Sequence, residues 1–189
     1  AALTGRCVRG RQSGKSQKRG ECMQGIHTIM VAIGFSSYSE GTFRYAAELA
    51  RKFDADLLVA SVVNSRDVEA VRSVASMGYE VDGEHYVESI RNERNALLEG
   101  YVSKTSFPAE RMKVRLPVGN PLDELLKTIV REDVQMVVMG VKERSDLEHI
   151  LVGSVAEKIF RRSPVTVVSY RDEESAERLR KRIHISDDE

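Results

Sequence analysis

Residues 136–169, MVVMGVKERSDLEHILVGSVAEKIFRRSPVTVVS, read as strand, long loop, helix and strand, with glycines at both mouths of the loop. Residues 136–139 are a short apolar, partly β-branched run of the kind that fills a buried parallel strand. Gly140 follows where the chain must turn sharply and a Cβ would obstruct it. Gly153 and Ser154 then open a helix, whose unpaired N–H groups and positive dipole end suit an anion. Gly153, Ser154 and Val155 would offer those backbone groups, and the Ser154 hydroxyl one further donor.

The rest of the chain alternates between strand and helix, as a doubly wound α/β sheet with helices on both faces requires. HTIMVAIGF (27–35) reads as a first strand and residues 36–53 as a helix. In that helix Phe43, Ala46, Ala47 and Ala50 make an apolar stripe while Arg44, Glu48 and Arg51 face out. Residues 56–63 read as a second buried strand, followed by a longer connection and a helix over 85–104. A third strand at 113–116, a third helix at 120–131 with Pro121 in its first turn, and a fourth strand at 134–139 come next. A helix over 153–162 and a strand over 165–169 complete the sheet.

Composition excludes several functions. The 29 basic and 29 acidic residues cancel, which argues against a general nucleic-acid binder. No apolar run approaches the length that crosses a bilayer, so no membrane role and a cytoplasmic location are expected. Cys7 and Cys22 both lie outside the apparent domain, giving neither a metal cluster nor a disulfide framework. Residues 1–22 carry six cations against the single acid Glu21 and show no apolar periodicity; they read as a disordered basic extension or an expression remnant. Gly14-Lys15-Ser16 fails as a P-loop because Arg9 occupies the first glycine position and no strand precedes it. The working domain is then 23–170. Residues 171–189 form a charged C-terminal tail in which Ala176, Leu179 and Ile183 allow only a thin amphipathic stripe, so a solvated tail is expected.

The two glycines three apart, nine intervening residues, and then Gly followed by Ser or Thr are the signature of the universal stress protein family, which this chain resembles over residues 26–170 through Gly140, Gly153 and Ser154. The middle glycine is absent, since Glu143 stands there. The resemblance implies an adenine-nucleotide alpha-hydrolase-like fold, five parallel strands in the order 3-2-1-4-5. It also implies ATP at the switch point between strands one and four, with Mg or Mn accompanying the nucleotide. Carried over by position, the contacting residues would be Ile33, Gly34, Ser36, Val62, Met139, Gly140, Lys142, Gly153, Ser154 and Val155. The family's AspGlySer after strand one is Gly34-Phe35-Ser36 here, so the carboxylate that would meet the nucleoside is missing. Glu143 adds negative charge near the expected phosphates, flanked by Lys142 and Arg144. A homodimer through the last strand is the implied assembly, and the apolar run 165–168 fits an edge that is covered.

No catalytic set emerges. His27, His85, His149 and His184 lack ligand spacing, so no metal site is expected. Asp123 and Glu124 sit in a first helical turn, where the dipole favours acids. Ser154 has no GxSxG elbow and no partnered histidine and acid. Asn64, Arg66 and Asp67 read as an ordinary turn. Three functions stay open: a nucleotide-binding stress-response regulator, a nucleotide-free interaction protein of the same fold, and a slow ATP hydrolase. The last lacks a visible base, arginine finger or metal carboxylate.

Overall fold

The computed structural model describes residues 25–36, 38–79, 82–140 and 155–183. Expectations for residues 1–22, Lys142, Glu143, Arg144, His149, Gly153 and Ser154 therefore lie outside the described residues. In chain order the elements are β1 (Thr28–Ala32), α1 (Ser39–Phe53), β2 (Asp56–Ala60), β3 (Val63–Asn64), α2 (Ser65–Ser76) and α3 (Gly83–Val102). There follow β4 (Met112–Arg115), β5 (Val118–Gly119), α4 (Pro121–Arg131), β6 (Met136–Gly140), α5 (Val155–Arg162), β7 (Thr166–Tyr170) and α6 (Glu173–Arg180). Among the described residues, five strands pair in parallel in the order β4-β2-β1-β6-β7, which is 3-2-1-4-5 when these five are counted alone.

Side chains that alternate along a strand go to opposite faces, so each central strand feeds two cores. From β1, Ile29 and Val31 join Phe43, Ala46, Ala47 and Ala50 of α1 and Leu98 of α3 on one face. Met30 and Ala32 join Leu122, Leu125 and Ile129 of α4 and Ile159 of α5 on the other. β2 and β6 divide the same way, Leu57 and Val138 to the first core, Leu58 and Val137 to the second. The expected α1 stripe is buried, and Arg44, Glu48 and Arg51 are exposed.

The edge strand β4 alternates differently. Met112 and Val114 pack on the first core, whereas Lys113 and Arg115 point to the uncovered side and meet Glu132 at 2.5 and 2.8 Å. Charges on an edge strand discourage a further strand from adding there.

Three local outcomes differ from the sequence expectation. The second strand stops at Ala60 instead of Val63, and the ladder resumes as the short pair β3 and β5 in the same register. Ser61 and Val63 still donate to the carbonyls of Arg115 and Pro117, but Pro117 has no N–H to return, which interrupts the ladder. The expected connection after β2 contains α2, started by the Asn64 side chain accepting from the Arg66 N–H. Asn64 is thus a helix cap and Arg66 and Asp67 its first turn, in place of an ordinary turn. Only Val68 of α2 is fully buried, so its periodicity is faint in the sequence. Part of the tail expected to be solvated is α6, which begins where the Asp172 side chain accepts from the Ser175 N–H at 2.8 Å. Elsewhere boundaries shift by a few residues: α3, capped by Asp82, begins at Gly83, two residues before the expected start, and Asn120 caps α4 with Pro121 at its first position.

The Glu132 ion-pair cluster makes stability depend on pH. Hydrogen bonds from Lys113 and then Arg115 hold the Glu132 carboxyl below its ordinary value of 4.5. A carboxyl depressed in the folded state stabilises above its unfolded pKa, and that contribution is lost as pH falls through the folded value. Both cations are half-exposed, so the expected loss in Glu132→Gln is about 0.5–1 kcal/mol at pH 7. Denaturant melts at pH 7 and at strongly acidic pH should show the gap between parent and variant closing as the acid limit is approached.

Candidate functional site

The carboxyl ends of β1 and β6 lie side by side in the register Ala32 to Met139, and the chain leaves β1 toward β2 and β6 toward β7, in opposite directions along the sheet. Open parallel sheets bind ligands in the crevice at such a switch point. A cavity of about 60 Å3 opens there, lined by Ile33, Gly34 and Ser36 from the turn after β1, Tyr38, Ser39 and Thr42 from the start of α1, and Gly140. It is smaller than the few hundred Å3 a nucleotide needs, so the described residues supply one wall of any such site.

Four of the ten expected residues, Ile33, Gly34, Ser36 and Gly140, meet in this cavity. Met139 is buried in the second core beneath it. Val62 and Val155 are partly buried against that same core, Val62 just past β2 and Val155 at the first turn of α5. Lys142, Gly153 and Ser154 lie outside the described residues.

Gly140 owes its identity to a close approach. A Cβ built on it would fall 2.6 Å from Thr42 Oγ1, and Thr42 is fixed because its hydroxyl donates to the Tyr38 carbonyl at 2.9 Å. The start of α1 thus sits directly against the end of β6. The turn between β1 and α1 is locked locally, since the Ser36 N–H donates to Ser39 Oγ at 2.8 Å and the Ser39 N–H donates to the Ser36 carbonyl at 2.9 Å. Thr42 and Ser39 are both buried. Sequence reasoning passed over them, although Thr42, Ala46 and Ala50 share one helical face and a polar residue on a core face is itself a signal.

Phe35 occupies the position of the family's central glycine and keeps the left-handed backbone that glycine favours, with φ of 53°. That costs about 1–2 kcal/mol for a side chain. Its ring recovers contacts: it stacks on Tyr101 of α3 with centroids 6.1 Å apart, and the Arg94 guanidinium carbon lies 5.8 Å from its centroid. Gly34, by contrast, is not held by any close neighbour, for an added Cβ would meet nothing within 4 Å and its φ is an ordinary one.

Arg94 is a third residue that sequence reasoning missed. Burial pushes its guanidinium pKa down, and Nη1 is shut off from solvent without a hydrogen-bond acceptor. An orphan donor of this kind costs about 1–3 kcal/mol. The Ser61 hydroxyl, buried just past β2, is likewise unpartnered. Both atoms are enclosed polar groups without a hydrogen-bond partner among the described residues.

A larger open groove of about 560 Å3 lies along the edge of β4, between Arg91 and Asn95 of α3 and Glu124, Thr128 and Arg131 of α4. Its acids are already engaged, Glu124 by Lys127 at 2.6 Å and Glu132 by Lys113 and Arg115. It is a surface groove away from the switch point. No group of three or more metal-ligating side chains converges among the described residues.

The contact between Gly140 and Thr42 yields a double-mutant test. Gly140→Ala should destabilise by about 1–3 kcal/mol through overpacking. Adding Thr42→Ala, which leaves the nearest remaining Thr42 atom at 3.8 Å, should recover most of that loss beyond the cost of Thr42→Ala alone. Denaturant titration of the four proteins measures the coupling, and additive losses would show that the two residues do not press on each other.

The chain matches known proteins over this whole unit. The family described as "Universal stress protein family" matches residues 25–171. A protein of Staphylococcus saprophyticus named for that family is 30% identical over 152 residues, covering 79% of this chain and 86% of the relative. Among solved structures, a universal stress protein in complex with cAMP has a TM-score of 0.53 at 23% identity, covering 78% of this chain and 99% of the other. That from Archaeoglobus fulgidus in complex with dAMP also has a TM-score of 0.53, at 20% identity, with 78% and 100% covered. These structural likenesses carry the fold, and no helix among the described residues is long and apolar enough to cross a membrane. With its five-stranded sheet, its switch-point crevice and a family match running from residue 25 to 171, the chain belongs to the universal stress protein family.

Proposed function

We propose that this chain is a cytoplasmic stress-response protein that binds an adenine nucleotide such as ATP at the switch point and acts through binding. The observation that carries the reading is the cavity where Ile33, Gly34, Ser36 and Gly140 converge beside the ends of β1 and β6. The relatives in complex with cAMP and dAMP support an adenine nucleotide as the ligand class. In this reading Gly34 and Ser36 meet the nucleoside end, with Ile33, Val62 and Met139 as its apolar surroundings. Gly140, Lys142, Gly153, Ser154 and Val155 hold the phosphates. Mg or Mn would be carried by those phosphates, neutralising charge that the protein leaves unpaired. The working domain is residues 23–170.

Binding is favoured over hydrolysis because none of the described residues lining the cavity is an acid, a histidine or a lysine. A nucleotide-free interaction role is the second reading. It is favoured by Gly34, Phe35 and Glu143, which remove a carboxylate, fill the turn and add negative charge by the phosphates.

Restoring the family residues separates the two. Gly34→Asp enters open space without backbone strain. Combined with Glu143→Gly, it should tighten ATP binding by roughly 2–4 kcal/mol, from charge-assisted hydrogen bonds and relieved repulsion. That is about one and a half to three decades in Kd by calorimetry. A folded double variant that binds no better than its parent would leave the nucleotide-free role as the better account.

The same reading includes a homodimer through β7. This strand closes the sheet on the side away from β4, and its residues TVVSY carry no charge. An apolar edge of that kind invites a second copy. Sedimentation at micromolar concentration should report a dimer, and Val167→Lys should shift it toward monomer; an unchanged profile would point to a different interface.

A further inference from the structure

Resting on the nucleotide reading, we infer that the site prefers an adenine nucleotide whose ribose carries its own phosphate, bound by Arg94. Ribose recognition turns on charge. Free ribose hydroxyls are held well by a carboxylate acceptor, whereas a phosphate on the ribose is repelled by an acid and held by an arginine fork. The turn after β1 has exchanged one condition for the other.

The acid is gone at Gly34, and the space its side chain would take is open. The cation has come from α3. Arg94 lies over the ring of Phe35, the residue next to Gly34, and the stacking of Tyr101 on the same ring fixes α3 against the turn. Other arginines of this region are committed: Arg91 donates to the Leu116 carbonyl and Arg115 to Glu132. Arg94 has no ion pair or hydrogen bond among the described residues, and its Nη1 is enclosed without an acceptor. Asp67, Glu93 and Tyr86 act on the guanidinium through space, and none of them forms an ion pair or hydrogen bond with it. A ribose phosphate brought to Gly34 would approach the part of this half-buried side chain that solvent still reaches and supply an acceptor that the described residues withhold. Purely structural arginines at such depth are normally satisfied by the protein.

Calorimetry of the full chain with adenosine 5′-monophosphate, adenosine 2′,5′-bisphosphate and adenosine 3′,5′-bisphosphate tests this directly. One bisphosphate should bind about tenfold to a hundredfold more tightly than the monophosphate. In Arg94→Gln that ratio should fall to near unity, and in Arg94→Lys, which keeps the charge and loses the fork, it should fall part of the way. Gly34→Asp should invert the preference by favouring free hydroxyls and repelling the added phosphate. Circular dichroism checks the fold of each variant, and Gly34→Asp remains an independent readout if both Arg94 variants fail to fold.

The outcomes divide cleanly. If the parent binds the monophosphate as well as either bisphosphate, the inference is overturned while the nucleotide reading stands. If a bisphosphate preference survives Arg94→Gln in a folded protein, Arg94 is not the phosphate ligand and the assignment fails. If no adenine nucleotide binds the parent, the nucleotide reading falls and takes this inference with it.

Discussion

Everything in this fold hangs on β1, the middle strand of the sheet, which feeds both cores and is flanked by β2 and β6, the two strands that do the same. Ile29, Met30 and Val31 are wholly inaccessible to solvent, so a shift of one residue in its register would exchange the two cores at once. That makes the strand's ending equally well defined. Where β1 stops at Ala32, the chain must leave between its neighbours β2 and β6, and the turn at Ile33–Ser36 is delivered to the switch point by core packing. A binding turn supported this way can change its own residues without disturbing the strand beneath.

The approach of Gly140 to Thr42 serves the same end from the other strand. With no Cβ at the end of β6, the start of α1 presses against it, and the two walls of the crevice are brought to van der Waals distance by backbone and a buried threonine. Ser36 and Ser39 then exchange hydrogen bonds within the turn, which hold it against the start of α1 without a ligand. This wall of the crevice is therefore held by the fold itself, which would lower the ordering cost of binding a ligand against it.

What could be read from the sequence follows from how strongly each element is constrained. Strands buried on two faces announce themselves as apolar runs, and α1 as a wide stripe, so the alternation of elements was legible in the residues, while the strand order and the candidate site positions came from the family resemblance. α2 was hidden because it buries a single residue, Val68, and its real signal was the capping Asn64, taken for a turn residue. The break between β2 and β3 was recoverable in principle from Pro117, whose missing N–H acts on a neighbouring strand 55 residues away in register. Arg94 could not have been found by spacing. Its relation to Phe35 exists only once α3 is laid across the carboxyl edge of the sheet.

The unusual residues of the site cluster where they cost the fold little. Gly34 has open space around it, so the loss of a carboxylate there changes what the turn can bind while leaving the packing alone. Phe35 does carry a conformational cost in its left-handed backbone, yet it is offset by the ring contact with Tyr101, which joins the turn to the first core. The same ring has the Arg94 guanidinium carbon 5.8 Å from its centroid. Phenylalanine in place of the family's glycine in the turn and a half-buried cation on α3 are thus one arrangement, since the aromatic face takes a guanidinium that has no ion pair among the described residues. The turn thus carries no acid at Gly34, where the family's AspGlySer has one, and gains an aromatic contact with α3, and neither difference reaches the sheet beneath.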